Sequence, residues 1–174
     1  MTTPTDVLRA EHELILRALT MLSNAALKIE RGEIVADDWW NDAIEWLRSF
    51  ADVNHHMKEE NLLFPALEKA GIPNEGGPIG VMLAEHVEGR GLIATIERGA
   101  GAVRVNATRR YVNMLRAHID KENSVLFVMA DGVLDDAAQD SLRRSFQAVA
   151  DELGSKASLV DARTRIERLE TALG

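Results

Sequence analysis

His55-His56-Met57-Lys58-Glu59, with Leu63-Phe64 after it, returns later in the chain as His118-Ile119-Asp120-Lys121-Glu122, with Leu126-Phe127 after it. In each copy a glutamate follows a histidine by four residues, and the Leu-Phe pair lies eight and nine residues beyond that histidine. A shorter echo stands upstream of each copy, Ala10-Glu11-His12 before the first and Ala84-Glu85-His86 before the second. The chain thus repeats itself weakly, and four of its five histidines fall at matching places. Residues four apart share one face of an α-helix, about one turn apart. Each copy therefore reads as a helical face that carries a histidine and a carboxylate.

Working outward, Thr3-Pro4-Thr5-Asp6 reads as an N-cap with proline at the first helical position and an acid closing a capping box. Leu8, His12, Ile15, Leu19 and Leu22 then form an amphipathic seam that ends before Gly32. Asp37 is expected to cap a second long helix running through Ile44, Leu47 and Ala51 to Leu67, bent in its last turn by Pro65 and stopped by Gly71 and Pro73. Gly77-Pro78 opens a third, with Met82, His86, Gly89, Ile93 and Ile96 on one face, closed by Gly99 and Gly101. A fourth spans about 103–130, with Tyr111, Leu115, His118, Glu122, Val125 and Met129 in register. No useful stretch alternates with period two. Long helical patterns joined by short loops favour antiparallel neighbours, so the expected class is all-α, a helical bundle. Residues 135–153 and 156–173 add two amphipathic segments expected to cover its outside. The expected division is a bundle with a fifth helix over 1–154 and a C-terminal amphipathic helix over 155–174. Trp39, Trp40 and Trp46 read as core packing.

Two His-x-x-x-Glu pairs on the second and fourth helices would meet across the bundle axis, with His12 and His86 completing a ring. Imidazole nitrogen and carboxylate oxygen suit iron or another first-row divalent metal, and two carboxylates between histidine pairs suit the bridging of two ions. Leu8, Ala51, Met82 and Met114 each stand four residues before one of these histidines, an apolar layer against the polar centre. A lone core histidine is usually just hydrogen-bonded, and a lone His-x-x-x-Glu is a surface pair worth about 0.2–0.5 kcal/mol. Four helices that each place a histidine on an apolar seam are a different matter. Burying those groups unpaired would cost on the order of several kcal/mol. The register on the second helix has two readings. The repeat favours His55 and Glu59, while Trp46, Phe50, Val53, His56, Glu60 and Leu63 form a seam of their own that makes His56 a possible further metal ligand.

Composition narrows the function. Twenty Lys and Arg against 28 Asp and Glu leave a formal charge of −8, which argues against nucleic acid or an anionic membrane as partner. The absence of cysteine removes disulfides, thiol catalysis and cysteine-held zinc or iron–sulfur clusters. No apolar run approaches the ~20 residues that span a bilayer, and no signal peptide is visible at the N-terminus. The expectation is a soluble, cytoplasmic protein, monomer or homodimer. No phosphate loop, Ser/His/Asp order or His-Glu-x-x-His motif occurs. Arg109-Arg110 reads as a solvated pair, and Arg90 either pairs a carboxylate such as Glu88 or Glu122 or lies on the surface.

The segments Leu8-Arg9-Ala10-Glu11-His12, 55–65 from His55 to Pro65, Glu85-His86-Val87-Glu88-Gly89-Arg90 and His118-Ile119-Asp120-Lys121-Glu122-Asn123 resemble those of the hemerythrin-like, or HHE cation-binding, proteins over about residues 5–150. The resemblance implies an up-down antiparallel four-helix bundle around two non-haem iron ions with an oxo or hydroxo bridge. It makes His12, His55, Glu59, His86, His118 and Glu122 the metal ligands, Glu59 and Glu122 bridging. The same donors accept manganese or zinc. The oxygen-carrying members resemble this layout but have a second histidine one turn after that on the third helix, and an Asp five residues after the last His. This chain has Arg90 and Asn123 there. With six ligands in place of seven, dioxygen, peroxide or nitric oxide chemistry, or iron sensing through a partner surface, is expected ahead of oxygen storage.

Overall fold

The computed structural model describes residues 2–174, and all regular structure among them is helical. Helix α1 (Pro4–Glu30) starts on the expected capping box: the Thr3 hydroxyl accepts from the Asp6 N–H, and the Asp6 carboxylate accepts from the Thr3 N–H. Gly32, at φ 80°, turns the chain after it. Helix α2 (37–69) is one continuous run: α-helical over Asp37–Trp46, widened to π-helix over Leu47–His56 and Glu59–Leu63, and α-helical again over Phe64–Lys69. Its N-cap is Ala36, and Asp37 lies inside the first turn, where it accepts from Arg104 Nη1 at 2.8 Å instead of capping. Pro65 is the second residue of the α-helical turn that follows the second widened segment. Helix α3 (Pro78–Arg98) is capped by Gly77. Helix α4 (101–133) is widened over Glu122–Leu126, α5 is Asp136–Leu153, and α6 is Leu159–Leu173.

Helix α4 lies against both α1 and α3, α2 packs on α1, and α5 and α6 lie against α1 and α2. The apolar core divides into two clusters. Ile15, Leu19, Leu22, Trp40, Trp46, Phe50, Ile96, Tyr111 and Leu115 belong to one. Leu8, Leu63, Phe64, Met82, Leu126 and Phe127 belong to the other. Helix α1 passes from the second cluster to the first, α2 returns, α3 crosses again and α4 returns. On every crossing the residues between the clusters are polar and buried: His12, then His55, His56 and Glu59, then His86, then His118 and Glu122. The sequence repeat thus becomes a polar layer sandwiched between two apolar ones.

The expected register of α4 fails past Glu122. Val125 and Met129 are 49% and 37% exposed, while Leu126, Phe127 and Ala130 are buried. The widened turn at Glu122–Leu126 takes up an extra residue, so the buried face downstream moves on by one position. The three tryptophans pack in the core as expected, and two of them also hold α6. Trp39 Nε1 donates to the Leu169 carbonyl at 2.9 Å and Trp46 Nε1 to the Ala162 carbonyl at 3.0 Å. Ile166 and Leu169 are buried at that contact, whereas Leu159, at the start of the helix, is exposed.

Candidate metal centre

The six residues expected as ligands, and His56 with them, converge in the polar layer, all buried. His55 and His56 are neighbours, and in a regular α-helix only one of two neighbours faces a narrow seam. The π-helical stretch through Leu47–His56 presents both. The two readings of the α2 register therefore merge. His55, His56 and Glu59 face the centre, and Glu60 is set further out, half-buried.

Four imidazoles are oriented alike. Nδ1 of His12 lies 2.9 Å from Asn123 Oδ1, and that of His55 lies 2.8 Å from Glu11 Oε2. Nδ1 of His86 lies 2.7 Å from Glu60 Oε1, and that of His118 lies 2.8 Å from Glu85 Oε2. An acceptor at Nδ1 places the imidazole proton there and leaves Nε2 a lone pair aimed at the centre, the arrangement a metal-bound histidine uses. His56 differs: its Nδ1 lies 3.4 Å from Asp52 Oδ1 without a hydrogen bond, and its ring stacks on His86 at 3.9 Å between centroids.

Each bridging candidate divides its oxygens between two groups of nitrogens. Glu59 Oε1 lies 3.4 Å from His55 Nε2, and Glu59 Oε2 lies 3.4 Å from His86 Nε2. Glu122 Oε2 lies 3.2 Å from His12 Nε2, and Glu122 Oε1 lies 3.2 Å from His118 Nε2. Two ligand groups result, His12–His55–Glu59–Glu122 and His56–Glu59–His86–His118, each able to direct four donor atoms to one point. Nε2 of His86 and of His118 approach to 3.1 Å.

Charge separates this centre from its surroundings. Every outer carboxylate has a cation: Glu11 pairs with the buried Lys58, Glu85 with Lys121, and Asp52 and Glu60 share Arg90. Arg90 thus reaches partners other than Glu88 or Glu122. Among the described residues Glu59 and Glu122 have no lysine or arginine, and all four of their oxygens, with Nε2 of His12 and of His55, are buried without a hydrogen-bond partner. Buried polar atoms are seldom left so, because each lost hydrogen bond costs about 1–3 kcal/mol. A cation between these atoms would satisfy them, and the imidazole and carboxylate donors present fit a divalent metal.

The pKa shifts follow from the same geometry. Burial, with His12 beside it, pushes His55 down to about 4 against the pull of Glu11. Burial takes His56 well below the ordinary range. Both stay neutral, as ligation requires. Burial and the neighbouring Glu122 raise Glu59 well above a normal carboxyl. Burial opposes charging His118, but the adjacent Glu122 outweighs it and lifts that pKa.

The sequence reading gave no orienting role to Glu11, Asp52, Glu60, Glu85 or Asn123; Glu60 entered it only through the alternative seam with His56, and Asn123 only as a departure from the oxygen-carrying members. A signal existed for two of them: Glu11 and Glu85 precede His12 and His86 in the repeated Ala-Glu-His. They serve the other helix of each half, Glu11 taking His55 and Lys58, and Glu85 taking His118 and Lys121. The repeat is thus a near-symmetric pair of half-sites, broken where Ile119 stands in place of His56.

Comparison with known proteins agrees. Residues 3–130 match the family described as "Hemerythrin HHE cation binding domain". The iron-sulfur cluster repair protein YtfE of Escherichia coli O157:H7 is 33% identical over 89 residues, covering 44% of this chain and 40% of that protein. YtfE of Escherichia fergusonii matches with the same identity and coverage. The chain thus spans about two fifths of the length of these curated relatives. No solved structure matches significantly. With the family pattern running through all four helices that supply the polar layer, the chain belongs to the hemerythrin HHE cation-binding family.

Proposed function

We propose that this is a non-haem di-iron protein that binds or reacts with a small oxidant: dioxygen, peroxide or nitric oxide. His12 and His55 serve one ion, and His86 and His118 the other with His56 as a seventh ligand; Glu59 and Glu122 link the two. The observation that carries the reading is the pair of buried carboxylates without a cation, each with one oxygen toward either histidine group. Iron is preferred over manganese or zinc because the matched relatives are named for iron–sulfur cluster repair. The order in which the chain crosses between the two apolar clusters supports an up-down antiparallel four-helix bundle within 1–154, with 155–174 as an added C-terminal helix.

A bound iron pair supplies reversible one-electron changes and a position for a small ligand. The chain's own residues hold the centre ready for it. Outer carboxylates hold His55, His86 and His118 by Nδ1, Asn123 Oδ1 does the same for His12, and Phe127 stacks on His12 at 5.4 Å. The clusters above and below keep water out.

The alternative reading is an iron or oxygen sensor that signals through a partner surface, with α6 as its output. Helix α6 is anchored by two buried indole N–H groups and by the Arg17–Glu170 pair at 2.6 Å, which favours the reactive centre over a detachable output. The deciding experiment is elemental analysis with an optical spectrum on protein made with added iron, before and after peroxide. About two irons per chain, with near-ultraviolet bands that bleach as peroxide is consumed, is the expected result. Two irons with peroxide left intact would turn the reading to sensing or carriage, and no bound metal would overturn both.

A further inference from the structure

The widened turn at Glu122–Leu126 brings Leu126, Phe127 and Ala130 into the core and leaves Val125 and Met129 outside it. These two do not stand alone. Among the described residues thirteen large apolar side chains are exposed, and four of them, Val125, Val128, Met129 and Val133, fall within nine residues of one helix. Single exposed valines are ordinary, whereas a contiguous apolar stripe marks a contact surface. Spacings of three and four keep these side chains on one side of two successive turns. Gly132 continues that side, and the space where its side chain would stand is open, so nothing within the chain calls for glycine there. Helix α3 extends the stripe. Glu88 pairs with Arg110, Glu85 with Lys121, and His86 Nε2 meets His118 Nε2, so α3 and α4 run antiparallel. One turn beyond the Glu85–Lys121 pair stand Val81 on α3 and Val125 on α4, both exposed. That pair borders the apolar area at one end, and the Arg9–Asp131 pair borders it on the side of α1. An apolar middle with a charged rim is the plan of a protein interface.

The charges along α4 identify what covers it. Before the stripe the helix carries Arg109, Arg110, Arg116 and Lys121 against one exposed acid, Asp120. Beyond Val125 come Asp131, Asp135, Asp136 and Asp140, with no base until Arg143. A second copy of this helix laid parallel sets like charge against like. Laid antiparallel, about a two-fold axis between Val128 and Met129, it brings Lys121 toward Asp136 of the second copy and Val125 over Gly132 of that copy. The same acids repel an anionic membrane.

We propose that the chain forms a two-fold homodimer through this α3–α4 face, with Val81, Val125, Val128 and Met129 as its apolar middle and Gly132 at the point of closest approach. The inference stands apart from the metal reading, since it uses only the outward faces of helices whose inward faces hold the polar layer. The stripe is exposed in the single chain, so changes there leave the chain's own stability as it is and act on association.

Analytical ultracentrifugation of the full chain, metal-loaded and metal-free, tests this directly; a species of twice the chain mass at micromolar concentration is expected in both. Val128→Glu should weaken the dimer on the order of tenfold or more, because it buries a charge without a partner. Helicity and metal content should stay as they are. The chain has no cysteine, so single introduced thiols map the contact. Val128→Cys, beside the axis, should oxidise readily to a disulfide-linked dimer. Val125→Cys, whose two copies lie farther apart than the ~7 Å a disulfide spans in the antiparallel arrangement, should crosslink no faster than Val87→Cys, an exposed position further round α3. A monomer at every concentration, or a dimer indifferent to Val128→Glu, overturns the inference. Crosslinking at Val125 as fast as at Val128 overturns the antiparallel two-fold, and with it the charge argument.

Discussion

At the scale of single residues, Glu59 and Glu11 make opposite predictions although both are buried carboxylates. Glu59 has no cation, and burial with Glu122 beside it disfavours its charged form, so Glu59→Gln breaks no ion pair. Metal-free stability should change by less than about 1 kcal/mol while metal retention collapses, as denaturant melts and metal titrations would show; marked destabilisation would mean that Glu59 is structural. Glu11 is the reverse. Burial works to raise its pKa, but His55 and Lys58 together hold it at about 2. Glu11→Gln strands the buried Lys58 and should cost about 3–5 kcal/mol, with a fall of about 10–100-fold in metal affinity as His55 loses its orienting partner. Its counterpart in the repeat, Glu85, pairs with Lys121, which is 41% exposed. Glu85→Gln should therefore lower metal affinity similarly but cost less than about 1 kcal/mol of stability.

At the scale of the element, the widened turns decide which residues meet the core. In α4 the seam drawn with ordinary helical spacing included Val125 and Met129, and the structure buries Leu126 and Phe127 instead. Leu126→Ala should cost about 2–5 kcal/mol by leaving a cavity, while Met129→Gln should stay within about 0.5 kcal/mol; chemical denaturation of both variants checks the phase. The same widening in α2 turns two competing registers into one site, because it lets His55 and His56 face inward together. Nothing in the residue types of Leu47–His56 marks that stretch as π-helical. The widening goes with the burial of both neighbouring histidines, a tertiary circumstance that helical spacing does not encode.

At the scale of the whole molecule, the polar layer makes stability depend on acid. His55 has a folded pKa of about 4, below its unfolded value near 6.5. Its contribution is complete above pH 6.5 and is lost as pH falls toward 4. Glu11 is depressed from 4.5 to about 2, so its contribution is present above pH 4.5 and goes as pH falls to 2. The metal-free protein should lose melting temperature in two overlapping stages, the first between pH 6.5 and 4, and bound metal should be released across that first stage. Thermal melts with metal analysis from pH 7 to 3 would show it; a flat melting temperature down to pH 4 would contradict the buried neutral histidines. Removing 155–174 strips Ile166 and Leu169 from Trp39 and Trp46. The truncated chain should be less stable by several kcal/mol, on the order of two or three buried aliphatic side chains, yet keep its metal. Loss of a bound partner protein with metal and stability intact would instead favour the sensor.

The sequence alone determined that the chain is helical, where its helices begin and end to within a few residues, and that four histidines and two glutamates repeat on matching faces. Those properties follow from period, capping and spacing, all of them local. Only the tertiary structure decided that His56 joins the centre, that Arg90 turns to Asp52 and Glu60, and that Glu11 and Glu85 orient histidines on other helices. The physical reason is range. His12 and Asn123 meet across 111 residues and His55 and Glu11 across 44, and no helical period encodes a hydrogen bond between helices. The orientation of four of the five imidazoles is set by those cross-helix bonds once the two apolar clusters have brought the helices together.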